Sequence, residues 1–164
     1  MRPRLRPPVP DFRYRPAQTI TLDLDAAQVG EAVQPDYVFR AEQRVLLLED
    51  RDEFREVLHD YLAYRSFQVT SVPSGVEGLR EIMKDPFDLI ICDMMMPQVG
   101  GEMFYWAVTR ARPAAAQRFI FFTGHQNNPR INFFFQRVKA TVLIKPFKLQ
   151  ALDSAIANVV RKLG

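Results

Sequence analysis

Five short runs of apolar residues constrain this chain more than any other feature: VLLLED (45–50), FQVTSV (67–72), DLIICD (88–93), RFIFFT (118–123) and TVLIK (141–145). Strands that are apolar on both faces require burial on both faces, which a parallel sheet between two helical layers provides. The stretches between the runs read as helices. DEFREVLHDYLAYR sets Phe54, Val57 or Leu58, Tyr61, Leu62 and Tyr64 on one broad stripe. In SGVEGLREIMK, Ser74 stands where an N-cap belongs, ahead of Val76, Leu79, Ile82 and Met83. GEMFYWAVTRAR and the shorter PRINFFFQRVK follow, and LQALDSAIANVVRKL carries a last stripe of Leu149, Leu152, Ile156, Val159 and Val160. Strand and helix alternate five times. The expected fold is an α/β, flavodoxin-like (βα)5 doubly wound sheet of five parallel strands, with right-handed crossovers and a ligand crevice at the carboxyl ends of the strands.

The domain begins near residue 44 and is expected to run to 164, preceded by an extension over residues 1–43. Five of the twelve prolines and five arginines (Arg2, Arg4, Arg6, Arg13, Arg15) fall within residues 1–16, against one acid, Asp11. The formal charge of +3 is therefore a property of that tail, and the remainder is near −1. TITLDL (19–24) alternates polar and apolar residues and reads as a short strand; residues 25–42 read as linker. No run approaches the ~20 apolar residues of a membrane span, and MRPRLRPPVP has no apolar block after its charges, so it is not a secretory signal. The single cysteine, Cys92, excludes an internal disulfide and fits a reducing, cytoplasmic compartment; its ordinary reading is a small buried strand residue.

The crevice rule concentrates attention on the strand ends. The first strand ends in Glu49-Asp50, the third in Asp93, the fourth in Thr123 and the fifth in Lys145. Three carboxylates, a hydroxyl and an amine would meet there. Crowded acids repel unless a cation neutralises them, and hard oxygen donors with few protein contacts suit Mg²⁺. Such a site can hold an acyl phosphate: a carboxylate attacks phosphorus, and Lys and Thr bind the phosphoryl oxygens. An acid just past a strand is commonly a cap or a solvated loop residue. Acids and partners at the ends of four separate strands are a different matter.

The motifs VLLLEDRDEF, DLIICDMMMPQVGGEMF, FIFFTGH and LIKPF resemble the response-regulator receiver family, in order and spacing, over roughly residues 44–162. The resemblance implies that Asp93 is the phosphorylated aspartate and that Asp50, with Glu49 beside it, binds Mg²⁺ together with the backbone carbonyl of Met95. It implies that Thr123, Gly124 and Lys145 bind the phosphoryl group, and that the Lys145-Pro146 peptide is cis. The family's partners are a cognate histidine kinase and a protein effector or a second copy, met through the face of helix 4, strand 5 and helix 5. The chain would then be a signalling protein, not an enzyme, that assists its own aspartyl phosphorylation and dephosphorylation. The alternatives are a phosphorylation-independent interaction module with the same fold, or a phosphate sink.

Some positions depart from the family. Val142 stands at the switch position, where an aromatic is common, which bears on the relay and not on phosphate acceptance. Met95 and His125 flank the water path, and an apolar Met95 cannot orient water, so slow self-dephosphorylation is expected. Phe133, Phe134 and Phe135 span about 200° of a helix and cannot all face one core, so at least one is expected outside it, on a partner face. Met94, Met95 and Met96 are expected to pack the loop beneath the acceptor, and Gly100-Gly101 to permit the turn into the third helix. The extension has three readings: a linker of a larger hybrid histidine kinase, a docking arm for a partner or second protomer, or a contact for nucleic acid or anionic lipid. Five arginines give only a salt-sensitive, unspecific phosphate affinity, so nucleic acid ranks last.

Overall fold

The apolar runs pair side by side in a computed structural model that describes residues 43–164. The strands are β1 (Arg44–Leu48), β2 (Gln68–Val72), β3 (Leu89–Asp93), β4 (Phe119–Thr123) and β5 (Thr141–Ile144). They form one sheet in the order β2-β1-β3-β4-β5, parallel at every pairing. The helices are α1 (Asp52–Tyr64), α2 (Gly75–Lys84), α3 (Gly101–Ala111), α4 (Pro129–Val138) and α5 (Leu149–Leu163). The doubly wound (βα)5 fold is thus as expected. A 3₁₀ turn at Pro113–Arg118, not foreseen, joins α3 to β4. The strand expected at residues 19–24, the linker at 25–42 and all but the last residue of the 1–43 extension lie outside the described residues.

Alternation along each strand divides the core in two. Val45, Leu47, Leu89, Ile91, Ile120 and Phe122 pack with Phe54, Leu58 and Leu62 of α1 and Leu152, Ile156 and Val159 of α5. Leu46, Leu48, Ile90, Cys92, Phe119 and Phe121 pack on the other side with Ile82, Phe104, Val108, Ile131 and Phe134 of α2, α3 and α4. β2 and β5 depart from the two-faced burial expected of every strand: they are the edges, with Gln68, Thr70 and Ser71 leaving β2 only partly covered and Ile144 exposed on β5. Cys92 is fully buried, and burial pushes its thiol pKa well up, as suits a core residue.

Two helical stripes are narrower than expected. Tyr64 is 63% exposed, because it lies about 200° around α1 from Leu62; Met83 is equally exposed, one 100° step beyond the buried Ile82. The expected cap is present: Ser74 Oγ accepts the Glu77 N–H at 3.2 Å. α1 and α5 also share a buried polar contact. The Tyr61 hydroxyl donates to Asp153 Oδ2 at 2.6 Å, and the Arg65 guanidinium lies 3.5 Å from Oδ1. Burial raises the Asp153 pKa against the opposing pull of both partners.

Candidate functional site

Parallel register brings the strand ends to one edge of the sheet. Leu48 pairs with Cys92, Asp93 with Phe122, and Thr123 with Ile144. The ladder runs on past the strands: Glu49 N–H donates to Val72 O at 3.2 Å, Met94 N–H to Phe122 O at 3.1 Å, and Lys145 N–H to Thr123 O at 2.8 Å. Glu49, Asp93, Thr123 and Lys145 are therefore fixed by the sheet itself, while Asp50 stands in the loop one residue on. One carboxylate oxygen from each of Glu49, Asp50 and Asp93 lies within 4.8 Å of the others.

Lys145 completes this cluster. Its Nζ lies 3.2 Å from Glu49 Oε2 and 3.2 Å from Asp93 Oδ2, and its side chain is almost wholly buried. The Lys145-Pro146 peptide is cis. Glu49 and Thr123 are inaccessible to solvent and Asp93 nearly so. The second oxygens are also engaged, since Arg51 N–H donates to Glu49 Oε1 at 3.0 Å and Met95 N–H to Asp93 Oδ1 at 3.2 Å. The Thr123 hydroxyl oxygen accepts the His125 N–H at 3.0 Å. Gly124 is exposed between them, and nothing stands within 4 Å of the place a Cβ would take.

Two buried acids beside one amine carry excess negative charge. Burial, and then the Asp93 charge, push the Glu49 pKa up to about 8, with Lys145 pulling the other way. Burial also raises Asp93, again opposed chiefly by Lys145. The donor set fits a hard divalent cation: three oxygens converge, and the most buried acid is held in a form that a cation would ionise.

Two features of the site escaped the sequence reading. The Lys145 ammonium sits against aromatic rings, 4.8 Å from the Phe122 centroid and 5.1 Å from that of Phe54. Both phenylalanines read from sequence only as core residues. Arg55, from the first turns of α1, donates to the Glu49 carbonyl at 2.9 Å and pairs with Asp52 at 2.6 Å, bracing the acidic loop from behind. No spacing rule in the sequence points to a side-chain bond six residues back to a carbonyl.

The remaining candidates separate. Met94 and Met96 are buried, but Met95 is 51% exposed, which corrects the expectation that all three pack the loop. Gly101 does need to be glycine: a Cβ there would lie 2.8 Å from Asp93 O, because α3 starts hard against the β3–α3 loop. His125 and Val142 are half-buried. Of the aromatic triplet, Phe134 is buried, Phe135 is partly buried against Phe121, and Phe133 is 66% exposed. Phe133 meets the expectation of one ring outside the core.

The fold matches a known family. The response regulator receiver domain aligns with residues 45–157, and the chain belongs to that family. It is 30% identical over 117 residues to a probable chemotaxis protein CheY of Rhizobium etli, covering 71% of this chain and 91% of that one. It is 27% identical to the transcriptional regulatory protein RprY of Bacteroides fragilis, of which it spans only 50%. Among solved structures, the chemotaxis protein CheY4 of Vibrio cholerae superposes with a TM-score of 0.66 at 28% identity, over 73% of this chain and 99% of that one. This is a receiver domain of two-component signalling. No helix among the described residues is long and apolar enough to cross a membrane.

Proposed function

We propose that the chain accepts a phosphoryl group from a histidine kinase on Asp93, with Mg²⁺ held by Asp50, Glu49, Asp93 and the Met95 carbonyl. The observation that carries this reading is the convergence of three carboxylates and the Lys145 ammonium at one edge of the sheet. An Asp93 oxygen forms the new bond to phosphorus as the P–N bond of a phosphohistidine breaks, and the imidazole leaves with the electron pair. Bound Mg²⁺ supplies charge neutralisation at the phosphoryl oxygens. Lys145, set between the two acids, turns from carboxylate to phosphoryl oxygen, and the Thr123 hydroxyl and the Gly124 amide take the others. The Phe54 and Phe122 faces keep the ammonium in place without a competing hydrogen bond.

Phosphorylation would then alter the face of α4, β5 and α5 and so a protein partnership in the cytoplasm. A second reading, a module that binds without phosphate, draws support from Val142, which lacks the ring common at that position. The test is incubation with acetyl phosphate and Mg²⁺ followed by intact mass. The expected result is one added phosphoryl group, lost with hydroxylamine and absent in Asp93→Asn; no addition to the wild type would sink the proposal.

A further inference from the structure

A second surface, apart from the strand ends, lies along α3 and α4. Met103, Trp106 and Arg110 follow one another at i, i+3 and i+7 on α3, and Arg130, Phe133 and Arg137 do so on α4. The two stripes adjoin. The Arg137 guanidinium lies 5.3 Å over the Trp106 ring, and Arg130 reaches Glu102 of α3 at 3.5 Å. Met103, Trp106 and Phe133 are 58%, 40% and 66% exposed. Three large apolar side chains on neighbouring stripes, set among arginines, form an apolar patch with a cationic rim.

Charge is strongly segregated along the chain. α3 and α4 themselves hold three arginines, Arg110, Arg130 and Arg137, against one acid, Glu102, which lies against Arg130. All three arginines are exposed. Residues 17–42 show the reverse: five acids (Asp23, Asp25, Glu31, Asp36, Glu42) against Arg40 alone. They also hold the apolar residues Ile20, Leu22, Leu24, Val29, Val33 and Val38.

The attachment point favours contact. Residue 42 leads into β1, whose Arg44 pairs with Asp85 at 3.2 Å. Arg112, which follows α3 directly, donates to the Asp85 carbonyl at 3.4 Å. The carboxyl end of α3 thus lies close to where the acidic segment joins the domain. The eleven residues of α3 rise about 16 Å, so at roughly 3.3 Å per extended residue fewer than ten residues match its length, and the segment is long enough to lie along it.

We propose that the acidic segment 17–42 of this same chain docks on the α3–α4 patch, its carboxylates toward Arg110, Arg130 and Arg137 and its apolar residues on Met103, Trp106 and Phe133. The domain then carries its own ligand for that surface, and an external partner must displace it. Trp106 is the only tryptophan in the sequence, so its fluorescence reports on the patch directly. The experiment measures acrylamide quenching of the full chain against Asp23→Asn/Asp25→Asn/Glu31→Gln/Asp36→Asn and against Ile20→Ser/Leu22→Ser/Leu24→Ser. Each set leaves the domain's own residues untouched. The expected result is at least a twofold rise in the quenching constant for both, and a similar rise for the wild type in 1 M NaCl, where screening extends to about 3 Å. Equal quenching in all three proteins overturns the proposal. So does protection of Trp106 that appears only as protein concentration rises, which would assign the surface to a second copy.

Discussion

Replacing Glu49 by Gln should make the metal-free protein more stable at neutral pH, although Glu49 is one of the most buried residues in the domain. An acid whose folded pKa is raised keeps a proton that the unfolded chain releases. Stability is then greatest below the unfolded value of 4.5, falls through the window up to about 8, and levels off above it. Each pH unit in that window costs about 1.4 kcal/mol, or about 4 kcal/mol by pH 7.5. Asp93 and Lys145 share the same field, and a Gln amide would meet the Lys145 ammonium less well, so a net gain of about 2 kcal/mol is the working figure. For a domain of this size that is a rise in Tm of roughly 6–10 °C. Gln retains the oxygen that accepts the Arg51 N–H. Thermal unfolding at pH 5 and pH 7.5, with and without Mg²⁺, measures this. The variant should match the wild type at pH 5, exceed it at pH 7.5 without metal, and lose most of the stabilisation that Mg²⁺ gives the wild type. A wild type whose stability rises from pH 5 to pH 7.5, or a variant less stable at pH 7.5, rules out a raised Glu49 pKa as a source of instability.

The aromatic triplet should divide sharply in urea unfolding: Phe134→Ala costs about 3–5 kcal/mol, whereas Phe133→Ser stays within about 0.5 kcal/mol, and equal costs would contradict the assigned burial. Tyr61→Phe removes the donor to buried Asp153 and should cost about 1–3 kcal/mol at pH 7, with a smaller cost at pH 4, where Asp153 can carry a proton. Arg55→Gln frees the Glu49 carbonyl and should weaken Mg²⁺ binding several-fold, read by calorimetry. If Mg²⁺ affinity is unchanged, the brace is irrelevant to the metal. Because Met95 is exposed and apolar where it flanks Asp93, Met95→Asn should shorten the phosphoryl lifetime, and an unchanged decay would remove Met95 from the water path.

The sheet was legible because apolar runs and their spacing depend on burial, and burial in a parallel sheet leaves a pattern that one sequence carries alone. The convergence of Glu49, Asp50, Asp93, Thr123 and Lys145 was legible for a related reason, since topology alone brings strand ends together. Contacts that depend on rotamers were not. Arg55 reaching back to a carbonyl, and Phe54 and Phe122 flanking an ammonium, need side-chain directions that periodicity does not supply. Periodicity also overreached at the ends of helices, where Tyr64 and Met83 continue the apolar composition but not the buried face. The methionine run failed similarly: three identical neighbours in a loop leaving a strand cannot all point inward, and Met95 is the one turned out.

Asp93 and its neighbours, as proposed above, form a phosphoryl site that uses a divalent cation. Beryllofluoride mimics an aspartyl phosphoryl group without turnover, and ¹⁹F NMR detects it when bound. With Mg²⁺, the wild type should show a bound resonance at one equivalent, lost on chelation and absent in Asp93→Asn and in Asp50→Asn. A wild type that binds no beryllofluoride, or binds it equally well after Asp93→Asn, shows that Asp93 is not the phosphoryl acceptor.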